Sequence, residues 1–113
     1  MNPNQPDQEG ENLLALLGAL ANPLRLRIVA ALGGGSTYVS QLARDLGISR
    51  PLLHMHLQKL EQAGVVVGHH EVSDDGKALR FYAVTDFSVV LDAATVTRAA
   101  ATLRNDRLRG SKQ

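Results

Sequence analysis

Apolar positions recur along this chain at two periods, one helical and one extended, and the changes of period mark out its elements. Residues 13–21, LLALLGALA, have no polar side chain on any face, although a helix lying on one core needs only one apolar stripe. A helix here must be covered on more than one side, either inside its own domain or between that domain and a second subunit. A chain of 113 residues has little interior in which to hide a helix all round, so the second arrangement is expected. Asn22-Pro23 has the form of an N-cap with proline at the first helical position, which opens a helix over residues 23–32, closed by Gly33, Gly34 and Gly35. Leu24, Ile28 and Leu32 form its core side, and Arg25 and Arg27 are expected in solvent, with phosphate contact as the minor alternative.

Residues 36–39 form a short extended lead into a helix over 40–46, whose inward face is Leu42, Ala43 and Leu46. Gly47 then stands where a left-handed residue closes a helix, and Ser49 stands as the N-cap of the next, with Pro51 in its first turn. Over residues 50–63, at about 100° per residue, Leu53, Leu57 and Leu60 share one side. Pro51, Met55, Gln58 and Gln62 share the other, flanked by Arg50, His54 and Lys59, with no acid until Glu61. Such a donor-rich face suits an anionic, hydrogen-bonding partner.

After Gly64, the β-rich runs VVVGHHEV and ALRFYAV flank SDDGK, where Asp75-Gly76 is expected to supply the left-handed residues of a hairpin turn. Leu79, Phe81 and Ala83 alternate with Arg80, Tyr82 and Val84, so one face packs on the helices and Arg80 is free to point outward. Residues 85–91 are a linker, and Asp92 caps a final helix from Ala93 to about Leu108. Its stripe is Ala93, Val96, Ala99, Ala100 and Leu103. Residues 1–10, with two prolines, are expected to be disordered, and residues 109–113 to be a basic tail, leaving one domain over 11–108.

Two helices separated by only Gly47 and Ile48 describe a helix-turn-helix, whose second helix fits a DNA major groove. The run ALANPLRLRIVAAL, then SQLARDLGISRPLLHMHLQKLEQAGVV, then the hairpin ending LRFYAV resembles a winged helix-turn-helix repressor of the ArsR type over residues 13 to about 108. The resemblance implies a mainly α (α+β) fold of five helices with a two-stranded hairpin as the wing. It also implies a sequence-specific double-stranded DNA-binding regulator, a homodimer that represses from an inverted repeat. The first and last helices would form the dimer interface, through Leu13, Leu14, Leu16, Leu17, Leu20, Val96, Ala99, Ala100 and Leu103. Truncating Leu17 or Leu103 to alanine, if buried there, would cost about 2–5 kcal/mol.

Among the DNA-facing side chains, Arg50 is the best base reader, since guanidinium pairs bidentately with guanine O6 and N7. Gln58 suits adenine or phosphate, and Ser49 with the helix N-terminus suits phosphate. Lys59 and Arg44 are phosphate contacts, His54 lies toward the outer face beside Pro51 and Met55, and Lys77 and Arg80 are the wing's cations. Asp74 and Asp75 should keep the wing tip off the backbone or make it a weak contact. His56, near the inward stripe, is expected to be a hydrogen-bonded packing residue.

The formal charge of +1 hides an asymmetry. Setting aside Asp7, Glu9 and Glu11 leaves 12 basic side chains against 8 of the 11 acids over residues 12–113, a modest balance that suits nucleic acid. With no cysteine, disulfides, thiolate zinc sites and cysteine catalysis are excluded. The N-terminus lacks a basic leader and no apolar run approaches ~20 residues, so no membrane span and a cytoplasmic location are expected.

Catalysis has no support: the serines lack a base at readable spacing, and Asp74-Asp75 sits in an exposed turn where burial cannot tune it. Metal sensing, common in the resembled family, also lacks ligands. His54 and His56 lie about 200° apart on a helix, His69 and His70 point to opposite strand faces, and the family's thiolate motif is replaced by YVSQL at 38–42. No cofactor is expected. The effector stays open between a small molecule at the dimer interface, a protein partner, and none. A rival class is a winged helix used for protein contact, with Pro51, Leu52 and Met55 as an apolar patch.

Overall fold

In the computed structural model, which describes residues 8–103, the order is α1 (Glu9–Leu20), α2 (Pro23–Leu32), β1 (Thr37–Tyr38), α3 (Val39–Leu46), α4 (Arg50–Gln62), β2 (Val66–Val72), β3 (Ala78–Val84) and α5 (Ala93–Ala100). The helix punctuation follows local chemistry. Asn22 Oδ1 accepts from the Arg25 N–H at 3.0 Å, and Pro23, with no N–H to lose, starts α2. Gly47 takes a left-handed φ of 68°, and the Ile48 N–H reaches back to the Ala43 carbonyl at 3.1 Å, a wrap that closes α3. Ser49 Oγ accepts from the Leu52 N–H at 3.2 Å and opens α4. Helix α3 starts at Val39 rather than Ser40 and α4 ends at Gln62 rather than Ala63.

Contacts divide the chain into two units, Gly18–Phe87 and a second that pairs the chain up to Leu17 with the chain from Ser88. In the first, Ile28, Leu32, Leu42, Leu53, Leu57, Leu60 and Val65 are the large side chains shut off from solvent. Leu24 and Leu46, expected inside, are only half-buried. The expected two-stranded wing is a three-stranded antiparallel sheet of order β1-β3-β2. The two residues of β1 suffice because Tyr38, opposite Phe81, sets its ring edge-on at 5.7 Å, and His69 on β2 stacks on the far side of Phe81 at 5.5 Å.

The other face of this sheet turns to the helices, reversing the orientation expected for β3. Tyr82 is 5% exposed and Val66, opposite Val84, is 2% exposed. Both alternating sets on β3 are largely apolar, so the alternation by itself did not choose between faces; the register did. The hairpin also differs in detail: Gly76 alone is left-handed there, at φ 85°, and among the described residues none other than glycine has positive φ. Ser73 N–H donates to the Lys77 carbonyl at 2.8 Å and Gly76 N–H to the Ser73 carbonyl at 2.9 Å, the geometry of a turn followed by a glycine bulge. The Ser73 hydroxyl donates to the Asp75 carboxylate and holds its pKa below the usual carboxylate value, helped by the Lys77 N–H.

In the second unit the expected tail is in part structure, since Glu9 and Gly10 already belong to α1; residues 1–7 lie outside the described residues. Gly10 is buried, its N–H donates to Thr102 Oγ1 at 2.8 Å, and Glu9 Oε1 accepts from Arg98 Nε at 2.7 Å. Asp92 caps α5 by accepting from both the Thr95 N–H and the Thr95 hydroxyl at 2.8 Å, and these bonds hold the Asp92 carboxyl below its ordinary pKa. Helix α5 stops at Ala100, short of the expected Leu108, and turns over Thr102 and Leu103; residues 104–108 are again outside the described part. A Cβ at Gly10 would fall on the Ala99 carbonyl oxygen and come within 2.8 Å of Leu103 Cδ2 and Thr102 Oγ1. Gly10→Ala should therefore destabilise this unit by about 1–3 kcal/mol, read as a lower melting temperature and faster amide exchange in α5. Unchanged exchange would show that the α1 backbone does not rest there.

Candidate nucleic-acid interface

Helix α4 divides its side chains sharply. Leu53, Leu57 and Leu60 are 0% exposed and His56 is 7% exposed, while Arg50, Pro51, Leu52, His54, Met55, Gln58 and Lys59 face solvent. Among the described residues, Arg50, His54, Gln58 and Lys59 make no side-chain hydrogen bond or ion pair with the rest of the protein. Their donors are open to solvent. Ser49 is spent differently: its hydroxyl already caps the helix.

Arg44 on α3 joins this surface. Its Nη2 donates to Gln41 Oε1 at 2.6 Å, and Gln41 in turn donates to Asp45 Oδ1 at 2.7 Å, which fixes the guanidinium in place. Arg44 and Arg50 line one shallow hollow of about 390 Å³ between α3 and α4, with Ser40, Ala43, Gly47 and Ile48. Two arginines bordering one hollow bring positive charge to it.

Arg80, expected to reach outward from the wing, is instead held in the sheet. It lies 3.9 Å from Glu61 Oε2, donates to His70 Nε2 at 2.9 Å and to the Tyr82 hydroxyl at 3.4 Å, and sits 5.2 Å over the Tyr82 ring. The Tyr82 contact first, then Glu61, keeps its pKa above the ordinary arginine value. The cause is the reversed face of β3, which brings Arg80 round to the α4 side. Lys77 is exposed at the wing tip together with Asp74 and Asp75. His69 pairs with Glu71 at 2.8 Å on β2. Among the described residues, no group of three His, Asp or Glu side chains is placed to hold a metal ion.

The residues expected at a dimer interface separate by exposure. Leu14 and Val96 are 42% and 48% exposed and Ala100 is also open, Leu13, Leu16, Leu17, Leu20 and Leu103 are half-buried, and Ala99 is 3% exposed. Ala99 is thus covered by its own chain and has no surface to offer a partner. Leu17 and Leu103 are half-buried within the single chain, and the expected truncation cost applies to their burial against a second subunit.

Arg25, expected in solvent, is half-buried and held by its own chain: Nε donates to the Ala19 carbonyl at 2.7 Å, Nη2 to the Gly18 carbonyl at 3.4 Å, and Nη1 lies 3.2 Å from His56 Nδ1. The signal was present at the end of α1, which has no basic residue in its last turn and no following glycine to close it. Its carbonyls need a donor, and Arg25 is the first cation after them. His56 is the hydrogen-bonded packing residue its position suggested; burial first, then the Arg25 charge, keeps its pKa below the ordinary histidine value.

Comparison with known proteins agrees with this geometry. A helix-turn-helix domain family matches residues 20–69. An uncharacterised HTH-type transcriptional regulator of Methanocaldococcus jannaschii is 35% identical over 74 residues, 66% of this chain and 77% of that one. The HTH-type transcriptional regulator CmtR of Mycobacterium tuberculosis is 44% identical over 77 residues, and the match spans 67% of this chain but only 61% of CmtR. The crystal structure of an ArsR family transcriptional regulator superposes with a TM-score of 0.54 at 23% identity, covering 91% of this chain and 94% of that one, and supports the fold. No single described helix is long and apolar enough to cross a membrane. The chain belongs to the HTH-type transcriptional regulators, with the fold of an ArsR-type winged helix-turn-helix.

Proposed function

We propose that the chain is a homodimeric repressor acting in the cytoplasm, which places two copies of α4 in successive major grooves of an inverted repeat and occludes a promoter. The observation that carries this reading is the outer face of α4, where Arg50, His54, Gln58 and Lys59 are exposed and without partners among the described residues. Arg50 reads a guanine edge, Gln58 a base or phosphate, and Lys59 with Arg44 the backbone. Pro51 and Met55 supply apolar contact in the groove. The exposed Leu14 and Val96 support a second subunit against α1 and α5.

Selection of bound fragments from random duplexes at physiological salt tests this. An enriched inverted repeat with half-sites about one helical turn, roughly 34 Å, apart is expected. A second reading rests on Leu52 and Met55, 37% and 54% exposed on the same helix, which would suit a protein partner; no enrichment at any low salt concentration would favour it. Lys59→Ala should weaken selected and random duplexes alike and lower the slope of log affinity against log salt by about 1. A loss confined to the selected sequence would reassign Lys59 to base reading.

A further inference from the structure

The hidden side of α4 carries one polar side chain among its leucines, His56, and that side chain is not idle. Its Nδ1 lies 3.2 Å from Arg25 Nη1. A guanidinium has donors only, so Nδ1 accepts and the ring is neutral with its proton on Nε2. The same Arg25 donates to the Ala19 and Gly18 carbonyls at the end of α1. One cation therefore ties the C-terminal carbonyls of α1 to the back of the helix whose front carries Arg50, His54 and Gln58.

No other charge competes at this junction among the described residues. The last turn of α1 brings only carbonyls, α2 brings Arg25, and Arg27 is exposed. On α3, Arg44 is bound to Gln41, which also holds Asp45. On α4, His54 and Lys59 face solvent, and Glu61 lies toward Arg80 and Tyr82. On the sheet, His69 pairs with Glu71 and His70 with Arg80.

We infer that Arg25 and His56 are positioning residues that hold the recognition helix in its DNA-reading pose through a neutral imidazole, and that protonation of His56 releases it. Protonation converts the accepting Nδ1 into a donor that faces another donor, and sets two cations at hydrogen-bond distance with no carboxylate among the described residues bonded to either. Arg25 or α4 must move. A contact surface has to be held within roughly 0.5 Å to read bases, so a shift of α4 degrades recognition without unfolding the domain. Acid should then weaken DNA binding.

The pH window follows from linkage. The folded pKa of His56 is lowered, by burial and then by Arg25, so the neutral form is favoured in the native state. Its stabilisation is fully present above the unfolded value of about 6.5 and is lost as pH falls through the folded value.

This inference rests on the DNA-binding reading, and the experiment separates the two. Affinity of the full chain for a selected duplex is measured by fluorescence anisotropy from pH 8 to 5.5, with the His56 ring and the backbone amides followed by NMR over the same range without DNA. The wild type should lose affinity at a rate approaching tenfold per pH unit per subunit below the His56 titration. In His56→Gln, whose amide oxygen still accepts from Arg25 but does not titrate, that acid loss should vanish. Arg25→Met should move the His56 titration upward. In the DNA-free protein, protonation of His56 should shift the Ala19 and Leu20 amides while the chain stays folded. An equal acid loss in His56→Gln, or a His56 titration that leaves those amides unmoved, would overturn the inference. If no duplex binds at pH 8 the DNA-binding reading fails instead, and the amide shifts alone decide whether the pair positions α4.

Discussion

Leu57→Ala is expected to destabilise the fold by about 2–5 kcal/mol, the largest effect of any single truncation on α4. Leu57 is 0% exposed and stands between Leu53 and Leu60, also 0% exposed, at the middle of the helix's inward stripe. A cavity left there cannot be filled cheaply, because packed interiors relax only in part. Domains of this size have about 5–15 kcal/mol in all, so the variant should melt at least about 8 °C lower by circular dichroism, at roughly 4–8 °C per kcal/mol. Met55→Ala, on the opposite face at 54% exposure, is the control and should leave the melting temperature nearly unchanged. Equal losses in the two variants would mean that the inward and outward faces of α4 have been exchanged.

Arg50→Ala should remove about 1–3 kcal/mol of discrimination between a selected operator and random DNA, roughly a 5- to 150-fold loss of preference per half-site. Arg50 is the first residue of α4, exposed, and shares the hollow with Arg44. The position fits two kinds of contact that the variant distinguishes. If the guanidinium pairs with a guanine edge, affinity for the operator falls and that for random sequence barely changes. If it joins Arg44 over a phosphate, both fall together. Competition titrations with the two duplexes at one salt concentration give the answer, and a parallel loss on both would move base reading to His54 and Gln58.

How much of this was legible in the sequence depended on whether the deciding interaction was local. The cap at Asn22, the left-handed Gly47 and the Ser49-Arg50-Pro51 opening of α4 are fixed within a few residues, and their places could be read directly. The inward leucines of α4 followed from helical period for the same reason. The face of β3 could not be read, because Leu79, Phe81 and Ala83 are hardly more apolar than Tyr82 and Val84, and the choice was made by pairing with β1 and β2.

That one reversal accounts for Arg80 being held by Glu61, His70 and Tyr82. Arg25 was missed through a similar route: its partners are carbonyls six and seven residues back and a ring 31 residues on, none of which a periodicity test weighs. The structured Glu9 and Gly10 were hidden by composition, since their ties to Arg98 and Thr102 span 89 and 92 residues.

Protection of guanine N7 from methylation on a selected operator examines the placement of α4 most directly, because that atom lies in the major groove. Two protected patches about one helical turn apart are predicted, with one guanine in each regaining reactivity when Arg50→Ala replaces the wild type. Bound DNA whose major-groove guanines all stay reactive would contradict a recognition role for this helix.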